Sequence, residues 1–381
     1  MKKIGKIILP LLVGGALGFG MMALSHGTGN DGDSFLNEML NIATLIVALL
    51  VAGYLQIILH EAGHLVFGLM SGYSFVSFRI GSLTLIKRDG RLQFKRFRLA
   101  GTGGQCLMAP PAGVPLESVP TMLYNAGGVA VNALTATLAL VLLLTLKSSM
   151  PQWLVHFLAA NVLIGCVFAL LNGIPMKLSG VANDGHNMLY LSKNKKSVKA
   201  FATLLIANEK VQNGMRPAQM PHELFEPGGA VDYTDSLQCN VEIMRISRIL
   251  DQGDIGLAHS EFKEMLLHER EILPMLLLEL RSEALFTSLA TGDSDLAGLL
   301  LSDKQLMRYI KAHAAVMSSK QRVLMAKALL CDNDLTAAQE IYNTVVEHRN
   351  SYLMQGEVEC DIDLMKRLLD EQKGQKKSKI Q

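Results

Sequence analysis

Tyr54 to Met70 reads YLQIILHEAGHLVFGLM, an apolar run into which His60, Glu61 and His64 are set. On a helix, positions four apart share a face, so His60 and His64 point the same way. Two imidazoles on one face are half of a zinc site, and the glutamate between them can act as general base. Ionisable groups in a membrane-length helix are costly unless they pair or bind something. The plainer reading is a polar helix end at the lipid headgroups. The apolar residues Leu65 to Met70, which continue beyond the motif, count against it.

The chain has 381 residues, enough for two or three domains, and half of them are hydrophobic. A net charge of +2 excludes a global field for nucleic acid, so no nucleic-acid partner is expected. Cys106, Cys166, Cys239, Cys331 and Cys360 form no C-x-x-C pair. They offer neither a zinc knuckle nor a disulfide framework and read as small apolar residues.

Working outward, Lys2, Lys3 and Lys6 precede an apolar run from Ile7 to Leu24, read as an uncleaved span rather than a signal peptide. Asp31, Asp33 and Glu38 mark an outside loop with no lysine or arginine. The second apolar stretch, Leu36 to Met70, carries the histidines. Residues 71–120 hold seven basic side chains (Arg79, Lys87, Arg88, Arg91, Lys95, Arg96, Arg98) against Asp89 and Glu117. The positive-inside rule makes that segment cytoplasmic and puts the motif near the cytoplasmic end of its span.

Alternation from Phe75 to Leu99 around Asp89-Gly90 predicts a β-hairpin. Such a hairpin either offers an edge to an extended peptide or rests on anionic headgroups. Gly101 to Gly104 reads as a connector. A third span covers Met122 to Leu146. Its opening NAGGVAVN (125–132) has small residues suited to close helix contact and two amides, Asn125 and Asn132. Interhelical hydrogen bonding is their ordinary role; substrate contact is the other. A fourth span, Trp153 to Leu171, returns to the cytoplasm before LNGIPMKLSGVANDGHNM (171–188). Two crossings separate this stretch from the histidine helix, so both motifs end on one side.

The fold class expected is therefore mainly α. A polytopic membrane core of about four spans with a small cytoplasmic hairpin occupies 1–192. An amphipathic helix and a proline-bearing linker fill 193–229, a soluble helical domain 230–372, and a solvated basic tail 373–381. In the soluble domain Gly253-Asp254, Gly292-Asp293 and Asn333-Asp334 recur at spacings of 39 and 41. That pattern resembles a loose tetratricopeptide-type array, though an ordinary helical bundle explains it nearly as well.

Together, His60-Glu61-Ala62-Gly63-His64, Gly128 to Asn132, and Asn172-Gly173-Ile174-Pro175 followed by Asp184-Gly185 resemble the site-2 protease family of intramembrane zinc metalloproteases. The resemblance covers about residues 40–190. It departs from the family at Val129, where proline is usual, and in the nine positions from Pro175 to Asp184, a gap usually shorter. It implies a Zn2+ cofactor and hydrolysis of peptide bonds in or near the transmembrane segments of protein or peptide substrates in the bilayer. It also implies a multi-pass protein, placed here in a bacterial cytoplasmic membrane with both termini cytoplasmic.

His60, His64 and Asp184 would be the metal ligands and Glu61 the catalytic base, with His186 the rival third ligand; His156 lies too far along its span. Asn132 and Asn172 are candidate substrate contacts. The helical domain would recruit a cytoplasmic protein partner. The competing expectation is a membrane-anchored helical-repeat adaptor with a structural or vestigial metal site.

Overall fold

The structure is a computed structural model and describes residues 35–88, 90–97, 103–178 and 181–380. The expected first span, Asp89 of the expected turn, and Gly101 and Thr102 lie outside the described residues. What is described is mainly helical, with a small antiparallel sheet of four strands and a two-stranded ribbon. Contacts divide it into two units.

The first unit holds α1 (Phe35–Met70), α2 (Met122–Leu146), α3 (Gln152–Gly173), the ribbon β5 (Lys177–Leu178) with β6 (Val181–Ala182), and the start of α4 (Asp184–Leu191). The helices α1, α2 and α3 are long and apolar enough to cross a membrane. At 1.5 Å per residue the 36 residues of α1 reach about 54 Å, well beyond the roughly 30 Å hydrocarbon thickness. Burial in the bundle is inverted relative to a water-soluble core. Small residues such as Ala48, Ala52, Ala136, Ala139, Ala159 and Ala160 are inside, while Leu50, Leu144 and Trp153 face outward. That distribution suits a lipid solvent, in which helices associate by close backbone approach rather than by hiding leucine.

The closest approach is at the glycines. A Cβ on Gly63 would lie 2.2 Å from the Gly127 carbonyl oxygen, and one on Gly128 would lie 2.5 Å from the His60 ring. Only glycine lets α1 and α2 meet at this point.

The second unit comprises Gly72–Pro120 and the chain from Tyr190 on. Its sheet has the order β3-β2-β1-β4, with β1 (Ser74–Ile80), β2 (Leu83–Arg88), β3 (Arg91–Arg96) and β4 (Gly104–Ala109). The single expected hairpin is thus two hairpins plus a fourth strand. Arg88 pairs with Arg91 across the expected Asp89-Gly90 turn, and Ile80 pairs with Leu83 across a second turn at Gly81, whose φ is +58°. Gly104 opens β4 and is not connector. The sheet groups with the C-terminal helices rather than with residues 1–192: Ser77 Oγ donates to Gln212 Oε1 at 3.1 Å, and Ile86 and Phe97 pack on Leu353.

The remaining helices are α5 (Lys195–Gln212), α6 (Ser236–Asp251), α7 (Ile255–Leu266), α8 (Pro274–Thr291), α9 (Ser294–Ser302), α10 (Lys304–His313), α11 (Ser318–Leu330), α12 (Leu335–Glu347) and α13 (Gln355–Ile380). The segment expected as a linker, 214–229, is packed: Met220 and Phe225 are each 1% exposed against α5 and α6. The expected basic tail is, over 373–380, the backbone of α13.

The three recurring turns share one construction. Gly253, Gly292 and Asn333 have positive φ, and Asp254, Asp293 and Asp334 each accept a hydrogen bond from the amide three residues on. A left-handed residue ends one helix and an aspartate caps the next.

Candidate metal centre

The site is assembled wholly within the first unit, from α1 and the N-terminus of α4, with α2 behind it. The four-residue spacing on α1 brings His60 Nε2 and His64 Nε2 to 3.2 Å of each other. Asp184, the first residue of α4, puts Oδ2 3.1 Å from His60 Nε2 and 3.5 Å from His64 Nε2. Among the described residues this is the group of His, Cys, Asp and Glu side chains that could hold a metal ion. Glu61 is half-buried beside it.

Hydrogen bonding assigns the tautomers. His64 Nδ1 lies 2.7 Å from the Tyr124 carbonyl oxygen, which can only accept, so Nδ1 carries the proton and Nε2 the lone pair. His60 Nδ1 lies 2.7 Å from Asn132 Oδ1. The Asn132 amide nitrogen is committed to Gln56, donating to its backbone oxygen at 3.0 Å and to Oε1 at 2.6 Å, so Oδ1 is the acceptor there too. Gln56 Nε2 in turn donates to Asn161 Oδ1 at 3.2 Å and Thr135 Oγ1 at 3.3 Å. A carboxamide relay across three helices thus fixes the orientation of His60.

Both lone pairs converge on a buried carboxylate oxygen, Asp184 Oδ2, that has no hydrogen-bond donor among the described residues. Three acceptor atoms facing one another are mutually repulsive unless a cation lies between them. A tetrahedral ion with bonds of about 2.0–2.1 Å needs ligand–ligand edges of about 3.3–3.4 Å. The observed 3.1, 3.2 and 3.5 Å fit that figure.

Asp184 is positioned by its neighbour. Asn183 Oδ1 accepts from the amides of Met176 and His186, and Asn183 Nδ2 donates to the carbonyls of Leu171 and Ile174. One side chain therefore ties the end of α3, the ribbon and the first turn of α4 together. Gly185 completes the joint; a Cβ there would lie 2.2 Å from the Gly173 carbonyl oxygen.

The sequence-predicted residues His60, His64 and Asp184 come together, and His186 and His156 stand outside the cluster. His156 is bonded to Thr44 and Gln152. Asn132 is fully buried in the relay, the interhelical role, and Asn172 is half-buried with Nδ2 on the Phe168 carbonyl. Sequence reading missed Gln56, Asn161 and Asn183. The first two were visible as amides in apolar runs, Gln56 one helical turn before His60, and Asn183 as an N-cap residue preceding a helix.

No protein-family model, curated protein or solved structure matches this chain.

Proposed function

We propose that the chain is an intramembrane zinc metalloprotease of the site-2 type, hydrolysing peptide bonds in or near transmembrane segments. The observation that carries this reading is the convergence of His60 Nε2, His64 Nε2 and Asp184 Oδ2 inside a bundle of membrane-length helices, with Glu61 adjacent. Two neutral imidazoles and one carboxylate are the donor set of a catalytic zinc site, which keeps a fourth position open. When bound there, zinc would supply Lewis acidity and lower the pKa of a bound water to about 7.

The chain's own residues do the rest. Glu61 takes the proton from the attacking water and passes it to the leaving amine. Asp184 offsets part of the metal charge in a low-dielectric setting, and the relay behind His60 keeps the ligand from rotating. A helical substrate hides its scissile carbonyls, so it must unwind locally to be cut.

In this reading a fourth, N-terminal span joins α1, α2 and α3, both termini are cytoplasmic in a bacterial cell membrane, and α6 to α12 form a tetratricopeptide-like array. The competing adaptor reading needs a metal site without a base.

The test is Glu61→Gln in the purified, zinc-loaded protein acting on a model transmembrane substrate. Retained zinc with cleavage reduced at least about a thousandfold is the expected result. Turnover near wild type would overturn the assignment, and zinc retention without any wild-type proteolysis would favour the adaptor.

A further inference from the structure

The second unit contains a cavity of about 160 Å³ lined by both ionic and apolar side chains. Four carboxylates line it: Glu279 and Glu283 from α8, and Glu357 and Asp361 from α13. Against them stand two cations of α11, Arg322 in the wall and Lys320 behind it, 3% and 0% exposed. Three of the carboxylates are paired. Glu279 accepts from Lys320 Nζ at 2.7 Å and Tyr309 Oη at 2.6 Å. Glu283 accepts from Arg322. Asp361 lies 3.0 Å from Arg322 Nη1 and accepts from Ser318 Oγ at 2.6 Å.

Glu357 has no hydrogen-bond or ion-pair partner among the described residues, although it lines the same wall. The cavity is thus two negative charges in excess when all four carboxylates ionise, and one of them is left over for a ligand. The lining also includes Met220, Met244, Met317 and Phe225. Methionines adapt to flexible aliphatic stems. Among the described residues the metal-type convergence of ligand atoms occurs at His60, His64 and Asp184 and not here, so the geometry does not favour a bare metal ion.

We propose that this cavity is a receptor for one lysine or arginine side chain of an extended peptide, its cationic head paired with Glu357 and its stem lying on the methionines. A cation carried on an apolar stem matches both the ionic and the apolar lining groups, and an extended peptide supplies such a stem as a lysine or arginine side chain. Burial, then the neighbouring Asp361, Glu279 and Glu283 carboxylates, push Glu357 up to about 8, with Lys320 opposing. A bound cation favours the ionised form, so binding releases a proton and tightens as pH rises from 7 to 9. The other groups facing Glu357 are Arg322 and Cys360.

The experiment uses the full-length protein in detergent micelles and three fluorescent heptapeptides, uncharged except for a central lysine, arginine or, as control, norleucine. The lysine and arginine peptides should compete with each other and bind at least about tenfold more tightly than the norleucine peptide. Glu357→Gln should abolish that preference and leave the norleucine affinity unchanged. The substitution is isosteric and removes an ionisable group, so the variant should fold; a circular dichroism melt no lower than that of the wild type checks this. Equal binding of the three peptides, or an undiminished lysine preference in Glu357→Gln, would overturn the proposal. Binding of n-butylamine as tight as the lysine peptide would reassign the cavity to a small cation and overturn the peptide source. None of these readouts involves the metal centre, and each is expected unchanged in Glu61→Gln.

Discussion

At the residue scale the candidate metal centre depends as much on what holds the imidazoles as on the imidazoles. Asn132→Leu leaves His60 Nδ1 unpaired in an apolar bundle and frees the ring to rotate. Loss of such an outer partner costs about 10–100-fold in metal affinity, which a chelator competition titration would measure. Asp184→Ala should abolish zinc binding, whereas His186→Ala should retain it, because the His186 ring stands outside the cluster. Elemental analysis of the two purified variants distinguishes the ligands, and the opposite pattern would show the assignment to be wrong.

Glu357 makes a prediction of a different kind. Its folded-state pKa is raised to about 8, above the unfolded value near 4.5. The folded protein therefore binds the extra proton, and stability is lost as pH rises through that window. Glu357→Gln should melt with wild type at pH 4.5 but above it at pH 8.

At the element scale, close approach and caps are the deciding features. A side chain on Gly127 would meet the Gly63 carbonyl at 2.3 Å, so Gly127→Val must push α1 away from α2. The expected outcome is loss of metal occupancy and of thermal stability together, a coupling that a surface substitution such as Leu138→Val would not show. Among the C-terminal helices the Asp254 cap is the cleanest to test. Asp254→Ala removes one side-chain acceptor and should lower the opening free energy of α7 by about 1 kcal/mol, read by amide hydrogen exchange. The sheet shows how alternation alone under-reads an element. The second turn at Gly81 was hidden because Ile80-Gly81-Ser82-Leu83 interrupts the apolar spacing for only two residues.

At the scale of the whole molecule, inverted burial over three helices argues for lipid as solvent. The topology that follows from the basic segment 71–120 can be probed by cysteine labelling of intact cells. A cysteine near Ser149 should react from outside and one near Arg88 should not. Reaction near Arg88 would place the metal centre at the opposite face of the membrane from the one argued above.

Sequence alone determined the helical, membrane-length character of Phe35–Met70, Met122–Leu146 and Gln152–Gly173, because hydropathy and length are local properties. It also determined the two histidines and the intervening glutamate, because an i, i+4 pair is set by helix geometry. The turns at Gly253-Asp254, Gly292-Asp293 and Asn333-Asp334 were legible as a recurrence in the sequence, and the structure added that each aspartate caps the following helix. Tertiary structure decided the rest. Asp184 over His186 follows from the Asn183 staple and the Gly185–Gly173 contact, which join segments that periodicity cannot connect. The relay through Gln56 and the placing of Glu357 in a cavity wall are likewise products of packing. An amide or carboxylate in an apolar run announces a cost, and only the neighbours that folding delivers determine how it is met.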